Sequence, residues 1–238
     1  MLEFSSEVSL LDSVKNILLE YGLRFQEPQI EKVDKYIEEL LGVPYNLTAH
    51  RDLDSAVHKN VVEILLPLKE ELKGTLLDVG SGNGVPGLIL AIFFPKLKVV
   101  LLDSREKSVN FLRGVIEKLD LGNVSAVKER AENFSRERRE EFDYVTARAV
   151  ARLNVLVEIC TPALKTGGKL LFYKGPSYIE ELKEAQRAMK ELKVELEEVR
   201  EYSLKTGERR ALLILRKYES SPEKYPRRVG VPFKRPLL

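Results

Sequence analysis

Apolar residues recur at three- and four-residue spacing through LLDSVKNILLEYGL and PQIEKVDKYIEELLGV, the pattern that lines one face of a helix. Pro28 stands where a helix can start, and residues 7–70 are predicted to form a helical cap ahead of the first strand. From Lys73 the period shortens. TLLDVG, KVVLLD, VSAVKE, FDYVTA and GKLLFYKG are short apolar or β-branched runs, and helical patterns such as REKSVNFLRGVIEKLD separate most of them. Alternating strands and helices predict βαβ units and a parallel sheet with right-handed crossovers. After a helix expected at 177–191, only KTGE separates KVELEEVREYSL from RRALLILRKY, so an antiparallel hairpin turning at Gly207 should close the sheet. The last segment, SPEKYPRRVGVPFKRPLL, is Pro-rich and basic and is expected to lie extended on the domain. The chain thus divides into helices (1–70), an α/β core (71–218) and a tail (219–238).

Composition narrows the class. The 238 residues are 44% hydrophobic and 32% charged, enough apolar material for a sizeable core that needs no disulfide or metal. A single cysteine, Cys160, points to a reducing cytoplasm, and the abundance of Glu, Lys and Arg would suit a thermophile. No stretch reaches the roughly eighteen apolar residues of a membrane span, and MLEFSSEVSL lacks a signal pattern. With 39 basic and 37 acidic residues the net charge is +2, so any footprint for a polyanion must be local. Nothing demands more than a monomer. The only histidines are His50 and His58, and neither metal-ligand spacing nor a Ser/His/Asp arrangement is visible.

Gly82-Asn83-Gly84-Val85-Pro86-Gly87 matches G-x-G-x-x-G after a strand and before a helix. Glycines let a ligand touch main chain there, and either a pyrophosphate or an amino-acid carboxylate suits such a loop. Asp78 precedes Gly80, where it can hold the loop or a ligand amine. Asp103 ends the second strand about twenty residues on, where a carboxylate can accept from ribose hydroxyls. The closing hairpin belongs to class I methyltransferases rather than dinucleotide dehydrogenases, which favours S-adenosylmethionine. Ala131-Glu132, after the third strand, fits an adenine contact through a backbone N–H and a side-chain acceptor. LKTGGKLL carries the Gly-Gly turn into the fifth strand. Arg148, at the carboxyl end of the fourth, faces the crevice and can hold a carboxylate, stack on a base or meet a phosphate.

The acceptor is read by exclusion. FDYVTARAVARL contains no Asn/Asp-Pro-Pro-aromatic clamp for exocyclic amines. Cys160 shares a helix face with Leu153, Leu156 and Val157, the position of an inert core thiol rather than a nucleophile. Acceptors that need no nucleophile and little base catalysis remain. Guanine N7 is one, with an in-plane lone pair and no proton. Lys174, Arg227, Arg228, Lys234 and Arg235, with Arg148 and Arg51, offer a basic face for RNA phosphates, and Tyr173 or Tyr225 a ring to stack on a base.

DVGSGNGVPG, LLDSREKSVNFL, RAENF, FDYVTARA, KTGGKLLFYKG and YPRRVGVPFKRPL together resemble the bacterial small-subunit rRNA guanine-N7 methyltransferase family, RsmG or GidB. The resemblance runs from about Tyr45 to the C-terminus. It implies a class I Rossmann-like fold with N-terminal helices and formation of 7-methylguanosine in the 530 loop of 16S rRNA from S-adenosylmethionine. It also implies cofactor contacts at Gly80, Val85, Ala131, Glu132 and Arg148, with Asp103 on the ribose; the bare glycine loop itself places Gly82 in the methionine site, where a side chain would intrude. Asn46-Leu47-Thr48 resembles a family segment, whereas His58-Lys59-Asn60-Val61-Val62-Glu63 departs from the family's His-x-x-Asp-Ser-Leu. Methylation of a small metabolite and a non-catalytic, adenosylmethionine-binding RNA module are the alternative readings.

Overall fold

The structure is a computed structural model that describes residues 10–43 and 52–238. The Asn46-Leu47-Thr48 segment, His50 and Arg51 lie outside the described residues. The chain opens with α1 (Leu10–Glu20) and α2 (Glu27–Gly42), then α3 (Leu53–Val57), which runs through a π-helical turn (His58–Val62) into α4 (Glu63–Leu65). The start of α2 follows from its sequence: Pro28 occupies the first turn, and the Gln29 side chain accepts from the Gln26 backbone N–H at 2.7 Å.

The α/β part follows as β1 (Gly74–Val79), α5 (Gly87–Phe93), β2 (Leu97–Asp103), α6 (Glu106–Lys118), β3 (Val124–Lys128), α7 (Ala131–Glu137), β4 (Phe142–Arg148), α8 (Leu153–Cys160) and β5 (Leu164–Lys174). Next come α9 (Tyr178–Glu184), α10 (Gln186–Leu192), β6 (Val194–Ser203), β7 (Arg209–Lys217) and, in the tail, α11 (Val231–Lys234). The seven strands lie in the order β3-β2-β1-β4-β5-β7-β6. Strands β1 to β5 pair in parallel, and the β6–β7 hairpin joins antiparallel to β5. This is the sheet of a class I methyltransferase, as the strand pattern and the KTGE turn predict. The helix expected at 177–191 is two helices that meet at Ala185.

Successive side chains on a strand point to opposite faces, and neighbouring apolar residues therefore enter different layers. Leu76, Leu171 and Leu212 pack with α1, α2, α5 and α6, while Leu77, Phe172 and Leu213 pack with α8, α10 and the tail. Full burial of a Leu or Phe contributes about 1.5–3 kcal/mol, so each layer holds its helices firmly against the sheet. The N-terminal helices share one apolar cluster with the sheet. The tail, expected to be extended, contains one helical turn: Gly230 reverses the chain at φ +79°, and Pro232 opens α11.

Candidate functional site

Strand order reverses between β1 and β4, and in open α/β sheets ligands bind beyond the carboxyl ends of the strands at that point. Two clefts meet there at Gly80. One, of 810 Å³, is lined by the glycine loop, the π-turn and the ends of β4 and β5; the other, of 270 Å³, lies over the ends of β2 and β3.

The loop between them is held from beneath. Asp78 is wholly buried, and its Oδ2 accepts from the Gly87 N–H at 3.0 Å. Burial pushes its carboxyl up to about 7. A Cβ on Gly87 would lie 2.6 Å from the Leu101 Cδ2 and 2.7 Å from the Asp78 Cβ, so this glycine is dictated by the leucine and the acid packed behind it. Gly82 differs. Its φ is +57°, and an added Cβ would lie 3.5 Å from the Arg105 Nη2 and 3.8 Å from the Gly80 carbonyl oxygen, ordinary contact distances, so a side chain fits there without a clash on the wall of the larger cleft. Gly80 lines both clefts, and the buried Val85 lines the larger one.

Asp103 ties the two sides together. Its Oδ2 accepts from the Gly82 N–H and its Oδ1 from the Arg105 N–H, each at 2.8 Å. The Arg105 Nε and Nη2 also donate to Oδ1 and Oδ2, at 3.3 and 3.5 Å, so a ligand hydroxyl would take its place on this carboxylate by displacing the exposed Arg105 side chain. Ala131 and Glu132 line the same cleft. Glu132 is buried; its Oε1 accepts from the Gly230 N–H of the tail at 2.9 Å, and its Oε2 has no partner.

Arg148 reaches across to the π-turn. It donates to the Lys59 carbonyl and, at 3.2 Å, to the Asn60 Oδ1, and it lies 3.6 Å from Glu63. Asn60 also accepts from the Asn83 side chain at 3.2 Å, and Tyr36 donates to the Asn83 carbonyl at 3.1 Å. Arg210 approaches the other oxygen of Glu63 at 3.3 Å. Sequence reasoning missed Tyr36, Asn60, Glu63, Arg105 and Arg210. The departure of His58–Glu63 from the family pattern was the one available signal, and the π-helical geometry that aims Asn60 and Glu63 at Arg148 is of a kind common at functional sites.

The residues expected to meet RNA differ in how far their charges and rings are already engaged. Lys174 is buried in the wall of the larger cleft and donates to Glu181 at 2.6 Å and to the Ala151 carbonyl at 2.8 Å, so its charge is already paired. Arg227 is held by the wholly buried Glu158, with its Nε at 2.8 Å and its N–H at 3.0 Å from Oε1. Tyr173 and Tyr225 are buried too, their hydroxyls bonded to the Ile64 carbonyl and to Glu191, so neither ring is free to stack on RNA. Arg228, Lys234 and Arg235 are exposed. Cys160 is wholly buried, and burial pushes its thiol far above the ordinary range.

Residues 29–212 match the family model described as GidB, rRNA small subunit methyltransferase G. The chain belongs to that family. A ribosomal RNA small subunit methyltransferase G from Thermotoga maritima is 98% identical over 238 residues, spanning 100% of both chains. Another, from Pseudothermotoga lettingae, is 45% identical and spans 95% of this chain and 100% of its own. Among solved structures, a precorrin-6y C5,15-methyltransferase from Geobacter metallireducens superposes with a TM-score of 0.53 at 14% identity, over 74% of this chain and 93% of that one. At that identity the likeness speaks for the fold alone.

As a member of the GidB family this protein is an S-adenosylmethionine-dependent rRNA methyltransferase, and both alternatives raised by the sequence fall away. The residues present fit the cofactor. Bare main chain at Gly80 and Gly82 bounds one cleft, a carboxylate at Asp103 stands at the mouth of the other, and Glu132 keeps an unpartnered oxygen beside it. Among the described residues no cluster of His, Cys, Asp and Glu could hold a metal ion, and no helix is long and apolar enough to cross a membrane.

Proposed function

We propose that the protein methylates guanine N7 in the 530-loop region of 16S rRNA, in the cytoplasm and as a monomer. The observation that carries this reading is the committed state of every acidic group in the larger cleft. Glu63 lies between Arg148 and Arg210, and Glu181 accepts from Lys174 and from the Leu153 N–H at 2.7 Å. His58 lies under Tyr21 with its Nδ1 2.8 Å from the Asp54 carbonyl, and the sole thiol is sealed in the core. No uncommitted base faces the cleft among the described residues, and an acceptor with a proton to lose would need one. Guanine N7 has none.

In this reading Gly80, Gly82 and Val85 hold the amino-acid end of the cofactor, Asp103 the ribose, and Ala131 with Glu132 the adenine. When bound, S-adenosylmethionine supplies an electrophilic methyl group. The chain's own contribution is placement: the Asp103–Gly82 hydrogen bond fixes the loop, and the Asn60–Arg148 contact fixes the guanidinium at the end of β4. The guanidinium donates to the acceptor edge of the bound guanine and fixes its orientation toward the methyl group, which makes Arg148 the catalytic residue of the proposal. Arg228 and Lys234 meet backbone phosphates outside the cleft.

Incubating the enzyme with labelled S-adenosylmethionine and either 30S particles or naked 16S rRNA, then mapping 7-methylguanosine by aniline cleavage, tests the assignment. Label at a guanine of the 530 region that yields a cleavage product is expected. Label that resists aniline, or that maps elsewhere in the RNA, overturns the position.

A further inference from the structure

The smaller cleft has one wall that belongs to neither the sheet nor its crossover loops. Val79, Leu102, Ala149 and Val150 give it an apolar floor, with Asp103 at one end, and Phe233 of α11 stands on its rim. Phe233 is 44% exposed, an unusual state for a Phe in a segment whose neighbours are firmly anchored. The anchoring is extensive. Arg139 donates to the carbonyls of Tyr225 and Ser221 at 2.7 Å each, Arg136 to that of Pro226 at 2.6 Å, and Glu158 holds Arg227. Next to the ring itself, the Gly230 N–H donates to Glu132 at 2.9 Å, and the Arg130 guanidinium lies 6.0 Å from the ring centroid. A tail held this way keeps the Phe233 ring at the edge of an apolar floor, with its backbone already in place. That arrangement suits a flat aromatic ligand.

We propose that Phe233 is the adenine-stacking wall of the cofactor site, so that the C-terminal tail is a cofactor-binding element. The inference rests on the reading that the smaller cleft takes the nucleoside end of S-adenosylmethionine. A purine enters between the apolar floor and the Phe233 ring, its ribose toward Asp103. Glu132 serves both partners: one oxygen holds the tail at Gly230 and the other, unpartnered, remains for the ligand. The tail's position and the base's position are coupled through that one carboxylate.

The sequence contains no tryptophan, so Phe233→Trp introduces a single indole at the rim. Titrating this variant with S-adenosylhomocysteine, and with 5′-methylthioadenosine, which keeps the nucleoside and lacks the amino-acid end, should quench its fluorescence with both ligands. In calorimetry Phe233→Ala should bind both ligands about tenfold more weakly, within the range for loss of one base–aromatic stack, while Phe233→Tyr stays near wild type. Unchanged affinity of Phe233→Ala for 5′-methylthioadenosine, or an unquenched indole in a Phe233→Trp protein that binds normally, overturns the proposal. A wild-type enzyme that binds S-adenosylhomocysteine but not 5′-methylthioadenosine overturns instead the placement of the nucleoside in this cleft. Should Phe233→Ala fail to fold, the indole signal alone decides.

Discussion

The two clefts that meet at Gly80 are built by different means. The larger is bounded by main chain on one side and by charged side chains on the other: the glycine loop faces Arg148, Arg210 and Lys174, each already paired with Glu63 or Glu181. The smaller is an apolar slot with an acid at its mouth and a Phe from the far end of the chain as its outer wall. A crevice of opposed charges organises polar and anionic groups, whereas an apolar slot rewards a flat ring. One loop divides the two, and its glycines answer to different neighbours, Gly87 to the packed Leu101 and the buried Asp78, Gly82 to the Arg105 guanidinium at ordinary contact distance.

Substitution at Gly82 breaks this comparison most sharply. In Gly82→Asp the side chain has room, so the protein should fold with a loss of about 1 kcal/mol from the left-handed backbone. Its carboxylate would nevertheless fill the larger cleft and oppose Asp103, which accepts from the same residue's N–H. S-adenosylhomocysteine affinity should fall more than about 100-fold, equivalent to about 2.7 kcal/mol, while the melting temperature moves little. Calorimetry showing near-normal affinity would remove the amino-acid end of the cofactor from the larger cleft.

Asp78, beneath both clefts, tests whether the loop is supported by a buried neutral acid. Burial raises its pKa from 3.8 to about 7, so the folded chain holds this proton more tightly than the unfolded chain does. The stabilisation is complete below the unfolded value and is lost as pH climbs toward 7. Asp78→Asn keeps an acceptor for the Gly87 N–H and has nothing to titrate. Between pH 4 and 7 the wild type should therefore lose stability relative to the variant, by up to about 4 kcal/mol. Parallel urea midpoints for the two proteins across that range would show that Asp78 is ionised from the start.

The sequence shows the cofactor half more plainly than the acceptor half, for a physical reason. Glycines, an acid at a strand end and a hairpin turn are local requirements of backbone geometry, and DVGSGNGVPG, Asp103 and KTGE state them within a few residues each. Whether a cation is available to a ligand depends on which distant acid it meets. YPRR and YKGP read as free charge, yet Glu158 takes Arg227 and Glu181 takes Lys174. The same limit hid Asn60 and Phe233, whose neighbours in space, Arg148 and Ala131, lie far away in sequence.

Arg227 and its neighbour Arg228 put that distinction to a direct test. Removing the Arg227 side chain strands a carboxylate that is 0% exposed, so Arg227→Ala should lower stability by about 3 kcal/mol, read as a urea midpoint shift. If Arg227→Ala instead lowered RNA affinity at unchanged stability, the ion pair would be incidental and the arginine an RNA ligand.

Arg228→Ala should have the smallest effect. Its side chain is exposed, its carbonyl accepts from the Val231 N–H at 3.0 Å, and that backbone contact survives the substitution. Stability should stay within about 0.5 kcal/mol of wild type. S-adenosylhomocysteine affinity should be unchanged, because Phe233 and Gly230 hold the smaller cleft without this guanidinium. RNA affinity should drop a few-fold at moderate salt, and the slope of log affinity against log salt should become shallower by about one, as expected for one lost phosphate contact. Filter binding at several salt concentrations measures both quantities together. A weaker affinity with the slope intact would mean that Arg228 reads a base rather than the backbone, and an unchanged curve would remove Arg228 from the RNA path and leave Lys234 and Arg235 as the exposed cations of the tail.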